Sequence, residues 1–401
     1  MSIDKDYLCH PNFDMEKILF ALTSFLICFI LTPAVIYFFV RNRITDTPGG
    51  RKIHKASTPS MGGIPIMIGV FFAVLLWFTL GELNQSRSIL FAVTIMFIVG
   101  LRDDLVNLSA FHKLVGQLAA ALLVVVYGGV QLTSLYGLFG VYELPVFVGI
   151  PVSLFTVIVL TNAFNLIDGV DGLAGMCSLL ALTFFGTWFE LNDQHLYAAI
   201  AATFAGGIVG FLMFNWSPAK IFMGDTGALA IGLLLASFAV LFIESNYALE
   251  ASSPIKFSGS VATGVAVMIL PIFDTARIFV KRVKKGKSPL SPDKSHVHHF
   301  IMRMGFEHRQ ITLILASVNL LFIAIAIIGK DYSDLMMLPI VIGTAIFLGL
   351  TLDYLVLRSV KNKVRKSPKL LVNKKFPGAK VPTNHPIVEK TLIETENILQ
   401  N

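Results

Sequence analysis

The side chains best suited to chemistry in this sequence are acids and amides that stand near glycine in short polar segments. They are Asp103 and Asp104 in "LRDDLVN", Asn165, Asp168 and Asp171 in "NAFNLIDGVDGLAG", and Asp225 in "FMGDTGALAIG". Carboxylates that converge at the edge of an apolar region are costly unless a cation compensates them. Oxygen ligands favour Mg²⁺, with Mn²⁺ as the alternative, and Mg²⁺ usually bridges to substrate phosphates. The pattern therefore predicts a divalent metal ion that works together with phosphate.

Basic and histidine side chains in three further segments are suited to the phosphate. They are Lys113, then Arg51, Lys52 and His54 in "RNRITDTPGGRKIHKASTPSMGG", and His296, His298 and His299 in "SPLSPDKSHVHHFIMRMG". Lys and Arg fit phosphate charge or lipid headgroups. The histidines could instead form a zinc site, but they lack a fourth ligand nearby. Phosphate contact is the favoured interpretation.

The elements that position these residues are predicted to be membrane-spanning helices. Hydrophobic residues make up 55% of the chain and charged residues 14%, with a mean hydropathy of +0.74, which is outside the range of soluble domains. Most of the apolar stretches approach the roughly 20 residues that a spanning helix needs. There are eleven, at 18–40, 64–80, 88–101, 114–130, 146–161, 173–189, 196–214, 227–243, 261–280, 311–328 and 335–357. The stretches 88–101 and 146–161 are short, so their helices end below the headgroups or extend into polar residues. The fold class is therefore all-α and polytopic.

Positive charge predicts the orientation, because Lys and Arg accumulate in cytoplasmic loops. With the N-terminus outside, the inner segments are 41–63, 102–113, 162–172, 215–226, 281–310 and 358–401, and they hold 26 of the 32 Lys and Arg. Every candidate cluster then falls on the cytoplasmic face, and the C-terminus is cytoplasmic. We expect a transmembrane domain at 1–357 and a basic cytoplasmic tail at 358–401.

Other classes of protein fit less well. The first apolar stretch lacks a small-residue cleavage site, so it is expected to be an anchor and not a signal peptide. The three cysteines show no pairing pattern. A pI near 9.2 could indicate nucleic acid, but the basic residues lie next to the membrane, where anionic lipid explains them. We expect the lipid bilayer and no nucleic acid among the partners.

Each cluster also has a structural interpretation. Asp103 and Asp104 could form a solvated turn, and Asp beside Gly commonly forms turns. Asp225 could cap the helix that follows it. Asp274 and Arg277, three residues apart on one helix, could neutralise each other. The placement of all the clusters on one predicted face favours a single site assembled from several loops.

Four motifs resemble the signature regions of the polyprenyl-phosphate N-acetylhexosamine-1-phosphate transferases. They are "GLRDDLVNLSAFHKLVGQ", "NAFNLIDGVDGLAG", "FMGDTGALAIG" and "SPLSPDKSHVHHFIMRMGF", and "RKIHKASTPSMGGI" is similar to the first basic loop of that family. The resemblance runs from about residue 30 to 330, with the motifs in the family's order. Within the family, the chain looks most like the subgroup that uses UDP-N-acetylglucosamine and undecaprenyl phosphate.

The resemblance implies a reaction on the cytoplasmic face of a bacterial inner membrane. Undecaprenyl phosphate would attack the sugar-bearing phosphorus of UDP-N-acetylglucosamine and release UMP, with Mg²⁺ neutralising the charge. This would begin a lipid-linked cell-surface polysaccharide such as O-antigen or enterobacterial common antigen. A covalent phospho-aspartate stays open as an alternative to direct displacement.

The resemblance also implies roles for individual residues. Asp225 would be the first metal ligand. Asp103 and Asp104 would hold the lipid phosphate or the metal, and one of them could remove a proton. Asn165, Asp168 and Asp171 would shape the nucleotide pocket, and the three histidines would meet the diphosphate or sugar.

The histidine segment also bears on the sugar. Relatives that initiate peptidoglycan have three consecutive histidines followed by Phe-Glu, whereas this chain has Val297 within the run and Ile301 in place of the Glu, followed by Arg303 and Arg309. This favours a compact acetamido sugar over a peptide-bearing one, with UDP-N-acetylglucosamine first and its C4 epimer open.

A membrane transporter, with acids such as Asp274 and Asp353 relaying protons, is the alternative from another class. The sequence shows no internal repeat of the kind many transporters carry. A homodimer is possible.

Overall fold

The computed structural model describes residues 11–44, 58–284, 286 and 296–365. These residues form thirteen α-helices joined by short connections, and no strand occurs among them. The all-α prediction is confirmed.

The helices follow one another along the chain with few long connections. They are α1 (Pro11–Arg41), α2 (Gly63–Trp77), α3 (Leu80–Val106), α4 (Ala110–Leu122), α5 (Val146–Asn165), α6 (Leu173–Leu191), α7 (His195–Asn215), α8 (Gly224–Ala248), α9 (Ser260–Val267), α10 (Ile269–Lys284), α11 (Val297–Met304), α12 (His308–Ile328) and α13 (Asp334–Arg365). A π-helical segment, Leu123–Tyr127, continues α4, and a short 3₁₀ turn occupies Leu138–Gly140.

Eight of the described helices are long and apolar enough to cross a membrane, and α9 with α10 would make a ninth span that is bent by 83°. Each of the eleven apolar stretches falls on a helix. Helices α2 and α3 are not among the eight candidate spans: α2 has only 15 residues, and the 27 residues of α3 include a charged end. The protein is therefore a multi-pass membrane protein, and the count of eleven spans stays a prediction. The two short stretches extend into polar residues, since α3 ends at Val106 and α5 at Asn165.

Local sequence signals set several helix starts. Thr79 and Glu82 form a reciprocal capping box at the start of α3, where the Thr79 amide donates to Glu82 Oε2 at 2.8 Å. Ser109 accepts the His112 amide at the start of α4. Both arrangements satisfy backbone donors that would otherwise lack partners. The cap at Ser109 leaves only three residues between α3 and α4, so Asp103 stays near Lys113.

Helix α8 is the central helix of the bundle. Its residues are apolar almost all the way round, and 94% of its most hydrophobic stretch is buried, as expected for a helix that contacts protein on every side. Gly100 of α3 lies directly against the backbone of Asp225 and Thr226, so a Cβ at residue 100 would clash with it. This close approach brings the acidic end of α3 to the first turn of α8.

The connections that carry the predicted site meet at one end of the helices. Phe222 donates its amide to Pro59 O at 2.9 Å, and the Gly63 amide donates to Met223 O at 3.0 Å. Near the opposite end of α8, Tyr136 of the connection between α4 and α5 donates to Glu244 Oε2 at 2.7 Å. The alternation that the topology predicts is therefore present, although which end faces the cytoplasm stays a prediction.

By compactness the chain divides into Met1–Leu350 and Thr351–Asn401. The described residues of the predicted transferase site all belong to the first unit. In the second unit the described part is the end of α13. The proposed boundary between residues 357 and 358 stays a prediction.

Candidate active site

Two carboxylates, one from the last turn of α3 and one from the 166–172 connection, bind the amino end of α8. Asp104 Oδ1 accepts the Asp225 amide at 3.0 Å, and Asp104 Oδ2 accepts the amide and hydroxyl of Thr226 at 2.8 and 2.5 Å. Asp168 Oδ2 accepts the Gly224 amide at 2.9 Å. The first amides of a helix lack partners within it and carry partial positive charge, so they favour carboxylates there. Asp104 and Asp168 thus fix the position of Asp225.

Gly224 has the backbone conformation that this arrangement requires. Its φ is +70°, in the left-handed region that favours glycine. A Cβ at this position would lie 2.6 Å from Asp104 Oδ2 and would also clash with the Ser60 carbonyl. The glycine in "FMGDTG" therefore permits the close approach of Asp104 to the helix.

Asp103 and Asp225 share one cation, the ammonium of Lys113. Lys113 Nζ lies 3.1 Å from Asp103 Oδ2 and 2.5 Å from Asp225 Oδ2. Asp103 Oδ1 also accepts the Leu108 amide at 2.5 Å, and the Asn165 side chain hydrogen-bonds Asp225. Asp103 of α3 and Asp225 of α8 therefore meet at Lys113, and Asn165 of α5 joins this group through Asp225.

This pair of acids fits a divalent cation in its chemistry. Two carboxylate oxygens converge on one positive centre, and all the donors are oxygens, as Mg²⁺ prefers. No group of three or more His, Cys, Asp or Glu in a metal-holding arrangement occurs among the described residues. A metal held by Asp103 and Asp225 would complete its shell with water and substrate phosphate, which is common for Mg²⁺.

Asp171 connects three elements. Its Oδ2 accepts the Ala219 amide at 3.1 Å, its Oδ1 lies 3.0 Å from His308 Nδ1, and its carbonyl accepts the Thr312 hydroxyl at 2.6 Å. Only 4% of its side chain is exposed. These contacts fix the 166–172 connection against α12 and the 216–223 connection, so in this structure Asp171 holds the loops that surround the site.

The histidines stack beside the 166–172 connection. His296 Nδ1 lies 2.8 Å from Asp274 Oδ2, and the His296 and His298 rings are nearly parallel with centroids 5.5 Å apart. The His298 and His299 centroids are 4.4 Å apart. His298 contacts Gly169, where a Cβ would lie only 2.7 Å from His298 Nε2. The fourth signature segment therefore lies next to Asp168.

Burial sets the protonation of two groups around this contact. It lowers the pKa of His298 to about 3, aided by the neighbouring His299, so the ring is neutral at pH 7. It raises the pKa of Asp168 to about 7, although the hydrogen bond from the Gly224 amide opposes the shift and nearby acids add to it. A neutral imidazole beside Asp168 can accept as well as donate a hydrogen bond.

Three cations surround the Phe300 ring. Arg277 Cζ lies 4.5 Å from the ring centroid, Lys281 Nζ 4.5 Å and Arg303 Cζ 5.1 Å. The cations come from α10 and α11, so the bend before α10 and the short helix after it place positive charge beside the histidines.

The structure brings most of the predicted site residues to one end of the bundle. They are Asp103, Asp104, Lys113, Asn165, Asp168, Asp171, Asp225, His296, His298 and His299. Arg51, Lys52 and His54 lie outside the described residues. The sequence reasoning missed His308 and Thr312. No motif marks either residue, because each lies more than 130 positions from Asp171.

The structural alternative for Asp225 is wrong. Asp225 does not cap α8, which begins at Gly224 with Asp225 in its first turn, because Asp104 binds the amides there instead. The carboxylate of Asp274 accepts from His296 and from the Val297 amide at 2.8 Å, while Arg277 lies over Phe300. The histidine segment is also partly helical, as α11, where a loop was expected.

The chain is a multi-pass helical protein with clustered acids at one end of its helices, and comparison with known proteins places it in the class of membrane-embedded transferases. Residues 86–243 match the model of glycosyl transferase family 4. A probable undecaprenyl-phosphate N-acetylglucosaminyl 1-phosphate transferase of Bacillus subtilis is 32% identical over 331 residues, which is 82% of this chain and 88% of that protein. The chain belongs to glycosyl transferase family 4.

Two other relatives carry similar names. The decaprenyl-phosphate N-acetylglucosaminephosphotransferase of Mycolicibacterium smegmatis is 35% identical over 75% of this chain and 79% of its own. The undecaprenyl-phosphate alpha-N-acetylglucosaminyl 1-phosphate transferase of Escherichia coli K12 is 29% identical over 78% of this chain and 85% of its own.

Proposed function

We propose that the protein transfers N-acetylglucosamine 1-phosphate from UDP-N-acetylglucosamine to undecaprenyl phosphate. A phosphate oxygen of the lipid forms a bond to the sugar-bearing phosphorus, the bond from that phosphorus to the bridging oxygen breaks, and UMP leaves with that oxygen. The convergence of Asp103, Lys113 and Asp225 at the amino end of α8 is the observation that carries the proposal. The names of the relatives support the choice of substrates.

The chain's own residues supply position and charge in this reaction, which phosphoryl transfer needs more than covalent help. Asp104 and Asp168 hold the first turn of α8, so that Asp225 is presented at a fixed place. The Lys113 ammonium can exchange its hydrogen bonds to the two carboxylates for a hydrogen bond to a phosphate oxygen. The neutral His298 lies beside the connection that holds Asp168, and the cations around Phe300 come from α10 and from the helix that carries His298, so this segment offers hydrogen-bond donors to a diphosphate.

Asp103 and Asp225, with Asn165 beside them, would hold Mg²⁺, or Mn²⁺ in its place. When bound, the metal neutralises charge on the phosphates. Lys113 would then leave its place between the two carboxylates. Removal of divalent metal with EDTA should abolish turnover, and full activity in EDTA would contradict this part of the proposal.

The proposed orientation places the site on the cytoplasmic face of the bacterial inner membrane. It rests on the excess of Lys and Arg in the connections at the site end. A cysteine introduced at Ser109 should be shielded from an impermeant thiol reagent in intact cells, whereas one at Ser252 should be labelled. Labelling at residue 109 from outside would overturn the orientation.

The assay that tests the reaction measures UMP released by purified protein from UDP-N-acetylglucosamine, with and without undecaprenyl phosphate. Release that depends on the lipid phosphate is expected. Comparison of kcat/KM for UDP-N-acetylglucosamine, its C4 epimer and the muramoyl-pentapeptide donor tests the sugar. Preference for the peptide-bearing donor would reject the proposed sugar, while absence of lipid-dependent UMP release with every donor would reject the reaction itself.

A further inference from the structure

A groove outside the candidate active site lies between the ends of α1 and α7. It has a volume of about 480 Å³, within the range of sites that hold small ligands. Its apolar wall is formed by Pro33, Ile36 and Val40 of α1 and by Phe214 of α7. Tyr37, Arg41 and Lys220 complete it. The groove therefore combines an apolar wall with two cations.

The packing of α1 against α7 explains why the groove opens where it does. Gly206 and Gly210 of α7 lie directly against the α1 backbone at Ala21 and Phe25, where side chains would clash. Further along, the Phe29 and Phe214 rings pack with centroids 5.3 Å apart. Helix α7 then ends at Asn215, whereas α1 continues for 12 residues beyond Phe29, or about 18 Å at the rise of an α-helix. The last turns of α1 therefore extend beyond the end of α7.

The charged residues lie at the end of the groove where the apolar part of α1 stops. Arg41 is the last residue of α1, and its Nη1 donates to Tyr37 Oη at 3.0 Å, which holds the guanidinium over the wall. Lys220 is exposed and belongs to the 216–223 connection, next to Ala219, which binds Asp171. Cations at the end of an apolar span lie at headgroup depth in a membrane.

We propose that this groove binds one anionic phospholipid of the surrounding leaflet. The phosphate contacts Arg41 and Lys220, and an acyl chain packs along Pro33, Ile36 and Phe214. Two cations set beside an apolar channel match a ligand with one anionic and one apolar part, and a zwitterionic headgroup would satisfy them less well. The Tyr37 hydroxyl adds a polar contact at the same depth.

Native mass spectrometry of the purified full chain in detergent tests this proposal. Phosphatidylglycerol and phosphatidylcholine with matched acyl chains serve as the probes. One equivalent of phosphatidylglycerol should be retained in preference to phosphatidylcholine. In the double variant Arg41→Gln, Lys220→Gln, the affinity for phosphatidylglycerol should fall roughly 25-fold, from about fivefold for each cation.

Two further variants separate a groove from a charged surface. Arg43→Gln removes the same charge just beyond α1, outside the groove, and should keep the wild-type affinity. Ile36→Trp fills the groove while leaving both cations, and it should lose the retained lipid. Equal retention by the wild type and the double variant, or by the wild type and Ile36→Trp, would overturn the proposal. Displacement of the phospholipid by one equivalent of undecaprenyl phosphate would also overturn it, because the groove would then belong to the lipid substrate.

Discussion

Replacement of Lys113 by Met should strengthen the binding of a divalent cation. The ammonium of Lys113 stands between Asp103 Oδ2 and Asp225 Oδ2, at 3.1 and 2.5 Å. A metal held by the same two oxygens must displace it. Met keeps much of the length and apolar character of the side chain but removes the charge, so the two carboxylates would be free to meet the metal.

The size of the effect follows from the contacts that are lost. A hydrogen bond to a charged group contributes about 1.5–3 kcal/mol net. Two such bonds at the lower value amount to about 3 kcal/mol, which corresponds to an affinity roughly 150-fold higher for the variant. Because the displaced ammonium regains water and can meet a phosphate, a gain of about tenfold is the smallest that we expect.

Titration with Mn²⁺, followed by electron paramagnetic resonance of the free ion, measures this affinity without any substrate. Arg102→Gln is the matched control, since it removes one positive charge from an exposed position next to Asp103. It should bind Mn²⁺ as the wild type does. Unchanged or weaker Mn²⁺ binding in Lys113→Met would refute the assignment of Asp103 and Asp225 as a cation site that Lys113 occupies.

The same variant should be less stable without metal. Two partly buried carboxylates then lack their cation, and removal of one partner of a buried ion pair costs about 3–5 kcal/mol. The exposed fractions of the Asp103 and Asp225 side chains are 14% and 25%, so solvent reduces this cost only in part. The thermal midpoint should fall in EDTA and recover with Mn²⁺. A midpoint that falls equally in both conditions would indicate a packing defect instead of a lost cation.

Three further predictions concern other parts of the site. Asp225→Asn should reduce UMP release roughly a thousandfold, because it weakens a metal ligand that offsets charge in the transition state; activity within tenfold of wild type would exclude that role. Gly169→Ala places a Cβ 2.7 Å from His298 Nε2 and should displace the imidazole. For a displacement of about 1 Å, kcat/KM should fall by roughly a hundredfold. The control Gly343→Ala has open space around the new Cβ and should match the wild type. Because burial lowers the pKa of His298 to about 3, its neutral form stabilises the fold fully above the unfolded pKa near 6.5, and that stability is lost as pH falls toward 3. At pH 5.5 the loss is about 1.4 kcal/mol, so the thermal midpoint of His298→Gln should depend less on pH than that of the wild type or of the exposed control His112→Gln.

The sequence predicts the helices, and it predicts that the polar segments lie at one end of them, because the signals for both are local. An apolar stretch near membrane thickness predicts a helix wherever it stands, and capping residues such as Thr79 and Ser109 fix the starts. Alternation of spans then places every second connection at the same end. The placement of the Asp103, Asp168 and Asp225 segments at one end of the helices follows from that alternation.

Tertiary structure decided the partners of each acid, because those partners lie far away in the sequence. Lys113 reaches Asp225 across 112 positions, and Asp104 binds the first turn of α8 across a similar interval. His308 lies beside Asp171 only because α12 packs near the 166–172 connection. The 83° bend between α9 and α10 likewise interrupts a continuous apolar stretch. Composition and spacing determine which residues reach one end of the membrane, while packing against α8 determines which carboxylate holds the helix and which one shares a cation.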